Sequence, residues 1–165
     1  MLNFEELYPP PERILYLYLI ILMLSKKAKY ALKALFVLAQ RNETCAASTD
    51  EIAQKAGIPK KFSEAILLDL KKGGMLHSLR GRSGGYVLRQ RPEEITVADV
   101  IRIIDGPLAL TTCTRKNNYM PCEECLDPEG CEIRRIMKQV RDSTVAILEG
   151  ITIKDAIKQP QALLV

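Results

Sequence analysis

No stretch of this chain is long and apolar enough to cross a bilayer as a helix, which takes about 20 residues. The longest apolar run, ILYLYLIILML at residues 14–24, has eleven. That run does not read as a signal peptide either. Glu5, Glu6 and Glu12 precede it where positive charge belongs, and no small-residue cleavage site follows. With no export signal, the five cysteines are expected to be thiols of a reducing cytoplasm rather than a disulfide framework. Histidine occurs once, at His77, in a stretch that reads as a strand, so it is taken as a strand residue and not a ligand. A strong overall charge is also missing, since the net value is only +4.

What is there is an uneven placement of that charge. Residues 23–91 carry fourteen Lys and Arg against five Asp and Glu, whereas residues 92–165 carry nine against twelve. A basic face concentrated in one segment is what a polyanion-binding surface needs, although a solvated helix face has the same composition. At 165 residues, 47% hydrophobic and 27% charged, the chain has enough material for one sizeable core.

Helix punctuation decides between these readings. Ser25 can cap a helix with Ala28, Ala31, Leu32, Leu35, Leu38 and Ala39 on one face, and Lys26, Lys27, Lys29 and Lys33 lie around its start. Ser48 and Glu51 form a capping-box pattern for a second helix, with Ile52, Ala53 and Ala56 apolar and Gly57 placed to end it. Pro59 suits the first turn of a third, whose Phe62, Ala65, Ile66 and Leu70 are expected to face inward until Gly73-Gly74 stops it. Two short helices across a tight turn are the helix-turn-helix pattern. Residues 75–79 and 86–88 then read as strands around the turn Gly81-Arg82-Ser83-Gly84-Gly85, a hairpin wing. Arg80 and Arg82 at its tip suit a narrow minor groove, whereas a wing without arginines would only brace the fold.

Tyr30-Ala31-Leu32, the block from Glu51-Ile52-Ala53 to Ile58-Pro59, and the wing Ser78-Leu79-Arg80-Gly81-Arg82-Ser83-Gly84-Gly85-Tyr86 resemble the Rrf-two family of bacterial winged-helix regulators. The likeness runs from about Met23 to Ile157 and implies that the native protein begins near Met23, with residues 1–22 an over-extended start or an arm for a partner. It implies a mainly α fold with a small β-hairpin wing and a long dimerisation helix. It also implies a DNA surface made of Lys26, Lys27, Tyr30, Lys60, Lys61, Phe62, Ser63, Glu64, Ser78, Arg80, Arg82, Gly84, Gly85 and Tyr86. Within that set Glu64 can accept from cytosine N4, or it merely suits the start of a helix, while Lys60 and Lys61 hold phosphates.

Thr96 and Asp99 cap a further helix with Val97, Val100, Ile101 and Ile104 inward, ending at Gly106-Pro107. The long loop after it holds Cys113, Cys122, Cys125 and Cys131, spaced C-x8-C-x2-C-x5-C. Clustered thiolates suit a soft metal, either an iron-sulfur cluster or tetrahedral zinc, and spacing does not separate the two. Cys45, alone between two helices, reads as structural. By resemblance, Cys113, Cys125 and Cys131 match the cluster cysteines of the family's sensors, and Cys122 is an additional candidate for the fourth ligand. Some members use a histidine three residues after the last cysteine, where Arg134 stands here. Whether a cluster has two or four irons is left open.

A dithiol reading of Cys122-x-x-Cys125 competes, but Glu123 and Glu124 between them disfavour the thiolate it needs. Residues 132–149 show Ile133, Ile136, Val140, Thr144, Ile147 and Leu148 at helical spacing. Burial in the chain's own domain would explain the stripe. The family instead pairs this helix across a two-fold axis, with Ile133, Ile136, Val140, Ile147 and Leu148 at the interface. Thr152 and Asp155 open a last helix, and a loose tail is expected from Pro160.

The expected organisation is therefore an extension at 1–22, a winged helix-turn-helix at 23–91 and a cysteine-loop sensor and dimerisation region at 92–165. The expected activity is that of a cytoplasmic, homodimeric transcription factor, a repressor on the family pattern, that binds a near-palindromic DNA operator and senses redox, iron-sulfur or nitrosative state. Alternatives are a cluster-free or zinc-bound regulator controlled by a metabolite, partner protein or thiol oxidation, and, from another class, a thiol-disulfide oxidoreductase.

Overall fold

The computed structural model describes residues 24–41, 45–81, 84–123, 125 and 127–158. The extension at 1–22, Arg82 at the wing tip and the tail from Pro160 lie outside the described residues.

Three helices form where the caps place them. Helix α1, Lys26–Ala39, starts at Ser25, whose Oγ accepts from the Ala28 N–H at 2.9 Å, and it buries Ala28, Ala31, Ala34, Leu35 and Leu38. Helix α2, Thr49–Ala56, starts at Ser48, whose Oγ accepts from the Glu51 N–H at 3.2 Å. The Glu51 carboxylate turns to Arg41 and Lys55, the latter at 3.0 Å, so the side chain expected to complete a capping box ties α2 to the end of α1. Gly57 ends α2 at φ 63°, a left-handed conformation that a Cβ would strain. Helix α3, Lys60–Lys72, follows Pro59, and the three helices pack on one another.

The inward stripe of α3 differs from the one expected. Ser63, Ile66, Leu67 and Leu70 are buried, while Phe62 is 54% exposed and Ala65 is exposed. Both sets have helical spacing, and the one that buries Leu67 in place of Ala65 removes more apolar area from water. Its cost is Ser63, whose hydroxyl is buried without a hydrogen-bond partner among the described residues, a penalty of about 1–3 kcal/mol.

Strands β1, Leu76–Leu79, and β2, Gly85–Leu88, pair antiparallel from Leu76 with Leu88 to Leu79 with Gly85. His77 is an exposed residue of β1, as read from the sequence. The hairpin is also tied to the segment ahead of α2. Ala47 and Tyr86 exchange backbone hydrogen bonds at 3.0 and 2.8 Å, and a Cβ at Gly85 would stand 2.3 Å from the Ala47 carbonyl oxygen. This is a mainly helical winged-helix fold.

Helix α4, Val97–Ile104, opens on a complete capping box between Thr96 and Asp99. Helix α5, Glu132–Glu149, is followed by α6, Ile153–Lys158, where Thr152 and Asp155 cap each other. The chain segment at 95–97 pairs with the one at 151–153, through Val97 N–H to Ile151 O at 2.9 Å and Ile153 N–H to Ile95 O at 2.8 Å. Consequently Ile95, Val100 and Ile153 share one core with Leu35, Ile52, Ile66, Leu67 and Leu76, across the boundary drawn at residue 91. Tryptophan is absent and phenylalanine occurs three times, so this core is aliphatic. No helix among the described residues is long and apolar enough to cross a membrane.

Candidate nucleic-acid interface and cysteine loop

Helices α1 and α3 and the wing carry the side chains read from the sequence as a DNA surface. Lys60, Lys61 and Glu64 are exposed at the start of α3. Lys60 Nζ pairs with Asp50 at 2.8 Å, and hydrogen bonding to that carboxylate raises the lysine pKa from its ordinary value, which keeps the amine charged. Phe62 stands out from the helix with its ring edge-to-face on Tyr30 of α1, centroids 6.1 Å apart. This exposure overturns the expectation that Phe62 faces the core. Ser63 is the reverse case. At 1% exposure it faces the core and does not reach a groove, because its position on α3 belongs to the buried stripe.

Around this centre, Lys26 is exposed and Lys27 pairs with Asp69 of α3 at 2.5 Å, which holds the Asp69 carboxyl below its ordinary pKa. Lys71 Nζ donates to Ser78 Oγ at 2.6 Å, a link from α3 to β1 that sequence reading missed. Arg80 is exposed beyond β1, and Gly84, Gly85 and Tyr86 are half-buried at the start of β2. No room exists for a side chain at Gly84, where a Cβ would lie 2.5 Å from the Leu79 carbonyl oxygen.

The cysteine loop leaves α4 and returns to α5. Cys113 is buried in a 3-10 turn, Thr112–Thr114, and its thiol donates to Thr111 Oγ1 at 3.3 Å. Cys131 is the N-cap of α5, its Sγ accepting from the Arg134 N–H at 3.4 Å. Cys125 is half-buried and Cys122 exposed. The Cys122 thiol is pushed above its ordinary pKa, chiefly by hydrogen bonding to Cys113 and by the negative charge there, with smaller contributions from burial, Cys125 and Cys131. Thus Cys122 feels all three of the other loop cysteines. Among the described residues, however, no three His, Cys, Asp or Glu side chains are gathered closely enough to hold a metal ion. The donor set fits a soft cation in kind, since a cation would relieve the cost of ionising the Cys122 thiol beside its neighbours, but it is not a finished cage. Cys45, expected to be structural, is exposed, and its carbonyl accepts from Arg41 Nε at 3.3 Å.

Arg134 occupies the middle of this loop. Its Nε donates to the Cys113 carbonyl at 3.3 Å and its Nη1 to the Pro128 carbonyl at 2.8 Å, and its guanidinium carbon lies 5.6 Å from the Tyr119 ring centroid. Beyond it, α5 buries only Val145, a position outside the expected stripe, and leaves Ile133 68%, Ile136 46%, Val140 39% and Ile147 63% exposed, with Leu148 half-buried.

This arrangement has known counterparts. Residues 24–159 match the model of the Rrf2 family, described as iron-dependent transcriptional regulators. The chain belongs to the Rrf2 family. An rrf2-like HTH-type transcriptional regulator of Rhodobacter capsulatus is 41% identical over 138 residues, which cover 82% of this chain and 92% of that protein. Among solved structures, CymR (YrzC), the global cysteine regulator of B. subtilis, is similar with a TM-score of 0.68 at 27% identity, covering 84% of this chain and 98% of CymR. IscR of T. potens is similar at 0.66 and 26%, covering 87% and 92%. The Rrf2 regulator described here is therefore a DNA-binding transcriptional regulator and not an enzyme, which sets aside the oxidoreductase reading of Cys122 and Cys125.

Proposed function

We propose that this Rrf2 regulator is a cytoplasmic homodimer that binds a near-palindromic DNA operator and reports redox, iron-sulfur or nitrosative state through its cysteine loop. Residues up to 91 form the reading head, with Lys60, Lys61, Phe62, Glu64, Arg80 and Arg82 nearest the bases and phosphates. Lys26, Lys27, Tyr30, Ser78, Gly84, Gly85 and Tyr86 flank them. Residues from 92 onward form the sensor and clamp.

The observation that carries this reading is the double attachment of α5. Its first turn begins at Cys131, whose sulfur caps the helix, and the chain leaving its far end pairs at 151–153 with 95–97, where Ile95 and Ile153 share a core with Leu35 and Ile66 of the reading head. Any change in what Cys131 holds therefore acts on a helix whose other end leads into α6, which packs on α1. Cys113, Cys122, Cys125 and Cys131 would hold the soft metal, an iron-sulfur cluster in the leading form and zinc in the alternative. A bound cluster would supply redox and nitrosative sensitivity at the iron and sulfide as well as at the thiolates. Thr111 and the α5 amides orient Cys113 and Cys131, and the exposed isoleucines of α5 meet their copies across the two-fold axis. Regulation then requires only that the two loop states differ in the arrangement of α5 that they favour.

Purification without oxygen, followed by visible absorption and metal analysis, tests the cluster. A brown protein with sulfide and iron, colourless once Cys113, Cys125 and Cys131 are replaced by Ala, is the expected result. A colourless protein with one zinc per chain would leave a regulator with a structural metal. A protein with neither metal, whose DNA affinity does not respond to the alanine replacements, would contradict the loop's role.

A further inference from the structure

The loop between α4 and α5 has almost no regular structure of its own, yet its backbone is gathered at a few points on one helix. Arg134 reaches the carbonyl of Cys113 at the loop's start and that of Pro128 near its end, while its cation faces the ring of Tyr119 between them. Its own N–H meets Cys131 Sγ at 3.4 Å. Two turns further along α5, Arg141 donates to the carbonyl of Thr114, with a side chain only 10% exposed. A surface arginine that merely solvates its helix pairs with its neighbours three or four residues away. Arg134 instead binds main-chain oxygens 6 and 21 positions distant in sequence, and Arg141, besides pairing with the adjacent Asp142, binds one 27 positions distant.

We propose that Arg134, backed by Arg141, is a positioning residue that holds the loop folded onto α5 before any metal arrives, so that Cys113 and Cys131 are already at one helix end. This inference rests on the loop being a thiolate metal site. The physical reason for arginine is its planar fork. Two N–H groups pointing in different directions bridge two carbonyls at once, which one ammonium on a flexible stem does not reproduce. A loop pinned in this way has its closure cost met by the fold, and a metal then has less chain to order on binding.

Cobalt(II) is a suitable probe, because its thiolate charge-transfer band reports sulfur ligation directly. Titrated without oxygen into the reduced full chain, it is expected to bind with that band, and Arg134→Ala should weaken it by about tenfold or more, the usual effect of losing a supporting contact. Amide hydrogen exchange of residues 107–131 in the metal-free chain should quicken in the same variant, with thermal unfolding and metal-free DNA affinity unchanged. Arg134→Lys, which keeps charge and stem, should behave like the alanine variant and carries the comparison if that one loses its folding transition. Cobalt affinity within about twofold of the parent in both variants would overturn the positioning role while leaving the metal site standing. A parent chain that takes up no cobalt, or a Cys113→Ser, Cys131→Ser chain that takes it up equally, would overturn the site and the positioning role together.

Discussion

Replacing Ile136 and Ile147 together with glutamate should give a folded chain that sediments as a monomer and binds duplex DNA about a hundredfold more weakly than the parent. Both side chains are exposed in the isolated chain, so neither replacement opens a cavity. They lie with Ile133 and Val140 on the face of α5 that the single chain leaves uncovered, and burying each such side chain contributes about 1.5–3 kcal/mol. Glutamates placed across a two-fold axis would have to lose water opposite their own copies, which reverses the sign of that contribution. A hundredfold loss corresponds to about 2.7 kcal/mol, and two reading heads acting as one supply more than that. Sedimentation velocity and a DNA-binding titration at fixed salt check both parts. A parent already monomeric at micromolar concentration, or a double variant that still dimerises, would contradict the expectation.

Gly85→Val is expected to cost about 3 kcal/mol of folding stability, through the overpacking that a forced side chain causes, and to weaken DNA binding as well. At this position a Cβ would lie 2.3 Å from the Ala47 carbonyl oxygen and 2.9 Å from the Ser48 nitrogen. Nothing flexible is available to move there, because both neighbours are main chain and belong to the bridge that fastens the wing ahead of α2. Gly57→Ala is the control. There a Cβ meets nothing within 4 Å, and only the left-handed φ of 63° opposes it, so about 1 kcal/mol is expected. Gly85 itself has φ 157°, so its variant adds crowding to torsional strain; urea unfolding of both variants reads that excess, and equal losses would contradict this account of Gly85.

The parts of this molecule that were legible in its sequence are those whose cause lies within three or four residues. Ser25, Thr96 and Thr152 meet their partners three positions ahead, and Gly57 supplies its own torsion, so the helix starts and that stop could be read directly. The wing was legible for the same reason, as two short strands around a glycine-rich turn. The phase of α3 was not, since two stripes of helical spacing compete and only packing against α1 and α2 selects the one with Leu67 and the unpartnered Ser63. Glu51 matched a capping box but serves Arg41 and Lys55. The core also runs past residue 91, because the pairing of 95–97 with 151–153 joins segments that no local pattern relates. Arg134 is the plainest case. Sequence reading marked it as a place where a ligand is missing, and its contacts are with main-chain oxygens, which any residue type provides.

Selection of binding sites from a random duplex library, with the reduced protein at physiological salt, tests the central claim most directly. A winged-helix dimer with α3 and the wing at its DNA face should recover a motif with two-fold symmetry, its half-sites about one or two helical turns apart. In a Glu64→Ala variant the base preference should relax at symmetric positions of both halves, while overall affinity falls less than in Arg80→Ala. Recovery of an asymmetric motif, or of no motif at all, would contradict the account.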